Sequence, residues 1–142
     1  MTSVKRIIGL DLGTKTLGVA FSDPLGISAQ GLTTIRFEEN AYKKACRLLK
    51  EQLSKYDIEC FVLGNPKHMN GDISESSQRS LAFKQRLENE FKVNVILWDE
   101  RLSSVLVDKS MIEMNLSRKK RKEIIDEMAA INILQGYLDS IK

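Results

Sequence analysis

The chain has 142 residues, 42% of them hydrophobic and 29% charged, with two prolines and eight glycines. Length and composition together predict one domain, 1–142, around one core, and exclude disordered, collagen-like and low-complexity classes. No apolar run approaches the ~20 residues of a bilayer span, and Lys5-Arg6-Ile7-Ile8-Gly9-Leu10-Asp11 meets an acid before a signal-peptide core develops, so a cytoplasmic protein that does not enter membranes is expected. Two cysteines, Cys46 and Cys60, with His68 as the single histidine, argue against a disulfide framework, structural zinc and His-dependent serine chemistry. Net charge is 22 − 19 = +3, a mild excess concentrated in Arg118-Lys119-Lys120-Arg121-Lys122.

Val4 to Leu10 reads as a short buried strand that runs into turn chemistry at Asp11-Leu12-Gly13-Thr14-Lys15. Leu17 to Ser22 reads as a second strand, close enough for an antiparallel hairpin, and Thr33-Thr34-Ile35 supplies a third strand to a meander. Ala41, Ala45, Leu48, Leu49, Leu53 and Tyr56 then follow helical spacing, with Lys43, Lys44, Lys50 and Glu51 outside. Cys60-Phe61-Val62-Leu63-Gly64 shows no polar alternation, as a strand buried on both faces does. After a polar stretch from Lys67 to Ser80, Phe83, Leu87 and Phe91 mark a second helix. Val93 to Trp98 forms a further strand, and a long helix is expected from about Ser117 to Ile141. The order describes an α/β sandwich: a three-stranded antiparallel meander continued by two strands joined through right-handed helical crossovers.

Open α/β sheets place ligands at strand ends, and here the first and last strands both end in carboxylates, Asp11 and the Asp99-Glu100 pair. A lone acid at a strand end is more often a turn former or helix cap; it is the joint occurrence that favours chemistry. The last helix adds Asp126 and Glu127. With Asn132, Gln135, Gly136 and Asp139 taken as its polar side, these two acids fall among Ala130, Ile133, Leu134 and Tyr137, where an acid is costly unless paired or bound to a cation. The bland alternative is an acid placed favourably near a helix N-terminus.

Three carboxylates from two strand ends and a helix suit Mg²⁺ or Mn²⁺, which take oxygen ligands, and two such ions ~4 Å apart serve phosphodiester hydrolysis without histidine or cysteine. The basic run opposes the dipole of the helix it opens by ~0.3–1 kcal/mol per charge, so packing gives no reason for it and phosphate binding does. Lys15 and Arg101, which flank the acids, join Arg118, Lys119, Lys120, Arg121 and Lys122 as candidate substrate contacts. Gly9-Leu10-Asp11-Leu12-Gly13 is no dinucleotide fingerprint, because a strand follows it, and no phosphate-loop motif occurs. His68 reads as a solvent-facing loop residue and Trp98 as core.

Four blocks resemble the bacterial YqgF family, also called RuvX, of Holliday junction resolvase-like proteins and pre-16S rRNA nucleases. They are Gly9 to Asp23; Val62-Leu63-Gly64-Asn65-Pro66 through Met69-Asn70-Gly71; Trp98 to Ser104; and Asp126-Glu127-Met128-Ala129-Ala130 through Ile133 to Asp139. The resemblance spans nearly the whole chain. It implies an RNase H-like fold, a cytoplasmic location and a metal-dependent nuclease that matures the 5′ end of 16S ribosomal RNA. The family's acids fall on Asp11, on Asp99-Glu100 and on Asp126 rather than Glu127. In that fold the strand ending at Asn65 separates those ending at Asp11 and Asp99 by ~10 Å, and Asp99 and Glu100 point to opposite faces. Asn65, His68 and Asn70 depart from the family's usual residues in this loop.

Three other readings are kept: a resolvase of branched DNA, which calls for a two-fold dimer; a non-catalytic RNA-binding module; and one lobe of an actin- or sugar-kinase-type ATPase, for which 142 residues are too few. Nothing in the residues specifies a dimer, and a monomer or weak homodimer is expected.

Overall fold

The computed structural model describes residues 5–13, 15–65, 75–99 and 117–141; within these, the side chains at 65, 75–77, 99, 119–124 and 126 lie outside the description. The strands are β1 (Lys5–Leu12), β2 (Thr16–Ser22), β3 (Ala29–Arg36), β4 (Asp57–Asn65) and β5 (Asn94–Asp99). The helices are α1 (Tyr42–Gln52), α2 (Glu75–Phe91) and α3 (Arg118–Ser140). One sheet of five strands has the order β3-β2-β1-β4-β5. β1–β2 and β2–β3 pair antiparallel, β1–β4 and β4–β5 parallel. This is the mixed sheet of an RNase H-like fold, with helices on both faces.

Alternation along the strands sorts two cores. On one face Ile8 and Leu10 of β1, Leu17 and Val19 of β2, and Phe61 and Leu63 of β4 pack under Ala45, Leu49 and Leu53 near α1 and Phe83 and Leu87 of α2. On the other, Ile7, Ala20, Cys60 and Val62 pack under Ala130, Ile133, Leu134 and Leu138 of α3. A central strand buried on both faces must be apolar throughout, which is why residues 60–63 carry no alternation.

β1 does not end at Leu10: Asp11 and Leu12, read as turn, pair with Gly18 and Leu17 of β2 and belong to the strand. The elements depart from the sequence reading in four further places. Tyr56 is not on α1: the helix stops at Gln52, the Leu53 N–H closes on Leu49, and Tyr56 lies in the following turn, its ring 5.6 Å from that of Phe21. α2 starts at Glu75, inside the stretch read as polar loop; buried Ser80 satisfies itself there by donating to the Gly64 carbonyl at 3.2 Å. β3 is longer than Thr33–Ile35, because backbone pairing with β2 runs from Ser22↔Ala29 to Thr16↔Arg36 around a bulge and needs no apolar side chains. Gly136 and Gln135 are not on a solvent side of α3. Gly136 abuts the Trp98 ring, where an added β-carbon would come within 3.2 Å. Gln135 accepts from the Ala29 N–H at 2.8 Å and donates to the Ile27 carbonyl at 3.1 Å. No helix among the described residues is long and apolar enough to cross a membrane.

Candidate active site

Asp11 lies near the carboxyl end of β1, half-buried, opposite Gly18 of β2, which in turn faces Thr34 of β3. Its phase is that of Ile7 and Gly9, so it belongs to the α3 face of the sheet. The turn beyond it is closed by the Gly13 N–H, which donates to the Thr16 carbonyl at 2.7 Å. Lys15 is exposed at this end, and its carbonyl accepts from the Phe37 N–H at 2.9 Å.

Two glycines let α3 descend onto the sheet. A β-carbon on Gly9 would stand 2.6 Å from Leu134 Cβ and 2.9 Å from the Ala130 carbonyl oxygen. On β3 the Glu127 carboxylate occupies the space over Gly31. Helix direction follows from the second contact: Gly31 aligns through Ala20 with Gly9, whereas Gln135 is tied to Ala29, on the Ile7 row, and to Ile27 beyond it. The N-terminal half of α3 thus lies toward the Asp11 end of β1. From the Ala130–Gly9 contact, Asp126 is four residues back along the helix, about 6 Å, and Asp11 two residues on along the strand, about 6.6 Å. Asp11 and the Asp126 position therefore share one end of the β1–α3 contact.

Asp99 ends β5 in register with Asn65 of β4, whereas the register of β1 on β4 ends at Leu10↔Leu63. β4 therefore separates the Asp11 and Asp99 strand ends, by about 10 Å across two strand spacings, as the resemblance implied. On β5, Ile96 and Trp98 share the α3 face while Val95 and Leu97 join the other core. Trp98 packs edge-on to Tyr137, ring centroids 6.1 Å apart, so its ring is core on the α3 side. Glu100 and Arg101, His68 and Asn70 lie outside the described residues. Arg118 is exposed at the start of α3; Lys119, Lys120, Arg121 and Lys122 follow in its first turns. Among the described residues no three His, Cys, Asp or Glu side chains form a group able to hold a metal ion.

Sequence reading missed Gly9 and Gly31 as seats for α3, and Glu127 as the side chain over the second. A signal was present: glycine inside a strand often marks close approach of another element. Both cysteines are free and buried, and burial disfavours the thiolate of each. Burial pushes the Cys60 thiol up to about 11, with Glu59 adding to it, and burial and then Glu90 raise Cys46 against the opposing pull of Arg86 and Lys50.

The family model "RuvX: Holliday junction resolvase" matches residues 5–140. A protein of Geobacillus sp. (strain WCH70) named "Putative pre-16S rRNA nuclease" is 50% identical over 135 residues, 95% of this chain and 98% of its own. A protein of the same name from Bacillus pumilus (strain SAFR-032) is 51% identical over 136 residues, 96% and 99% of the two chains. Among solved structures, T. thermophilus RuvC in complex with a Holliday junction substrate superposes with a TM-score of 0.64 at 14% identity, covering 96% of this chain and 95% of that one. The Fowlpox virus resolvase bound to junction DNA gives 0.58 at 15% identity, over 96% and 98%. Those two likenesses show the fold; the sequence match shows the family, and the chain belongs to the RuvX family of Holliday junction resolvase-like proteins.

Proposed function

We propose that the protein is a divalent-metal-dependent nuclease that hydrolyses phosphodiester bonds at the 5′ end of pre-16S rRNA, in the cytoplasm. The observation that carries this is the descent of α3 onto Gly9, which brings Asp11 and the Asp126 position to one end of the sheet. The names borne by relatives about 50% identical over nearly the whole chain support the substrate class.

Asp11 and Asp126, with Asp99 or Glu100, offer oxygen donors only, the set that Mg²⁺ or Mn²⁺ takes in preference to softer metals. When bound, such an ion supplies an activated water and charge stabilisation at the phosphate. Lys15, Arg101, Arg118 and the bases that follow to Lys122 would hold the phosphate backbone beside the carboxylates, a sequence-blind task. A monomer or weak homodimer suffices for an RNA end, whereas a DNA junction needs two sites related by a two-fold axis.

The test is cleavage of 5′-extended 16S precursor RNA beside a four-way DNA junction, each with Mg²⁺, Mn²⁺ or EDTA. Metal-dependent cutting of the RNA in preference to the junction is expected. Preference for the junction would reassign the substrate, and binding without cutting would leave an RNA-binding module.

A further inference from the structure

On the face of the sheet opposite α3, α1 and α2 enclose a groove of about 650 Å³ whose walls carry Lys43, Lys44, Arg47, Lys50, Arg86 and Glu90. Lys44 pairs with Glu38 and Lys50 with Glu90, each at 3.8 Å between exposed side chains, contacts of little energy that water and salt readily replace. Lys43, Arg47 and Arg86 have no ion-pair partner among the described residues. The five cations and these two acids sum to 5 − 2 = +3, as much as the whole chain carries, so the groove is no average stretch of surface.

Folding does not account for this charge. All five cations are exposed, and the core contacts of α1 are made by Ala45, Cys46 and Leu49. Lys43 and Lys44 stand in the first turn of α1, which holds no acid and whose N-cap, Ala41, makes no side-chain cap. A helix dipole disfavours cations at that end and favours anions. Phosphate facing the groove would meet both the lysines and the favourable end of the helix. From Lys43 through Arg47 to Lys50 is seven residues, about 10.5 Å of helix, a length that faces about three phosphates of one strand at ~3.4 Å each along a duplex.

We propose that the α1–α2 groove is a second phosphate-backbone site, which holds a nucleic-acid segment away from the bond being cut. It rests on the nucleic-acid reading above but requires nothing of the carboxylates. Lys43, Arg47 and Arg86 make the contacts, and Ala41 and Cys46 form a floor too small and apolar to read bases.

The full-length variant K43Q/R47Q/R86Q tests this, since all three side chains are exposed and their loss leaves the core intact. Binding of 5′-extended 16S precursor RNA is measured in EDTA, by fluorescence anisotropy, between about 50 and 200 mM salt. Three lost phosphate contacts should flatten the slope of log K against log salt by about 2–3, while metal-dependent cleavage of a short RNA that spans only the scissile bond stays at the wild-type rate. An unchanged slope and affinity would overturn the proposal. So would wild-type protein that binds polyglutamate as tightly as RNA and loses both equally in the variant, because the groove would then be a site for acidic protein. If wild-type protein binds RNA but cuts nothing, the nuclease reading fails while the salt slope still decides the groove.

Discussion

The Glu127 carboxylate lies over Gly31, so that a β-carbon on that glycine would fall within it. One edge strand and the N-terminal half of α3 are thereby fitted to each other, next to the Asp126 position. Gly31→Ala must push the flexible end of Glu127 aside, so we expect it to destabilise by about 0.5–1 kcal/mol, short of the cost of a rigid overpacked core. In a Glu127→Ala background the same change should become neutral or stabilising, because alanine suits a strand better than glycine by ~0.5–1 kcal/mol. Urea unfolding of the four proteins of this cycle measures the coupling; additive effects would contradict the seat.

Gly9 is a harder contact, since its neighbours are the Leu134 Cβ at 2.6 Å and the Ala130 carbonyl oxygen at 2.9 Å. Neither can rotate away, so Gly9→Ala must lift α3 from β1. A loss of about 1–3 kcal/mol is expected. Nuclease activity should fall more than the folded fraction does, because the lift also moves Asp126 relative to Asp11. Unfolding and single-turnover cleavage on the same preparation check this, and an unchanged unfolding midpoint would contradict it.

Thr34 shares a row with Gly18 and Asp11, and its buried hydroxyl oxygen has no hydrogen-bond partner among the described residues. An unpaired buried hydroxyl costs ~1–3 kcal/mol. Thr34→Val keeps the shape and removes the unpaired group, so it should raise stability by about 1 kcal/mol. A rise in the urea midpoint with cleavage unchanged is the expected result; a fall would show that the hydroxyl has a partner in solution.

The thiols give a pH dependence with a defined sign. Burial raises both Cys46 and Cys60 above the ordinary 9.0, Cys60 to about 11, and so favours the neutral thiol in the folded protein. A group whose folded value is raised contributes stability that is complete below its unfolded value and fades as pH climbs through the folded one. Stability should therefore decline between about pH 9 and 11, and Cys60→Ala should remove part of that decline. At pH 8 a disulfide reagent should label neither cysteine in native protein and both in denaturant. Prompt native labelling would contradict the burial.

Much of the fold was legible because strands and helices differ in period. The unbroken apolar run at Cys60–Leu63 identified a doubly covered strand, and Phe83 and Leu87 identified the buried stripe of α2. What was not legible depends on contacts distant in sequence. Tyr56 fitted a helical spacing but belongs to a turn beside Phe21. Gln135 read as part of the polar side of α3, but its partners, Ala29 at the start of β3 and Ile27 just before it, lie 106 and 108 residues away. Asp11 was legible as a candidate from its place at a strand end, and the route by which α3 reaches it, through Gly9 and Gly31, became visible only in three dimensions. The basic groove was half legible: Lys43, Lys44 and Lys50 read as an outer helix face, but Arg86 joins them only because α2 packs beside α1.

The central claim is that Asp11 holds the ion that nuclease chemistry requires. Asp11→Asn keeps the size and polarity of a half-buried side chain, so the variant should unfold at nearly the wild-type urea concentration and bind precursor RNA in EDTA as wild type does. The decisive measurement is single-turnover cleavage of 5′-extended 16S precursor RNA by both proteins across a Mg²⁺ titration. Metal-dependent cutting by wild type is expected, with a loss of at least about a hundredfold in Asp11→Asn, or about 2.7 kcal/mol of transition-state stabilisation at ~1.36 kcal/mol per tenfold. Equal rates in the two proteins, or wild-type cutting that survives EDTA, would contradict it.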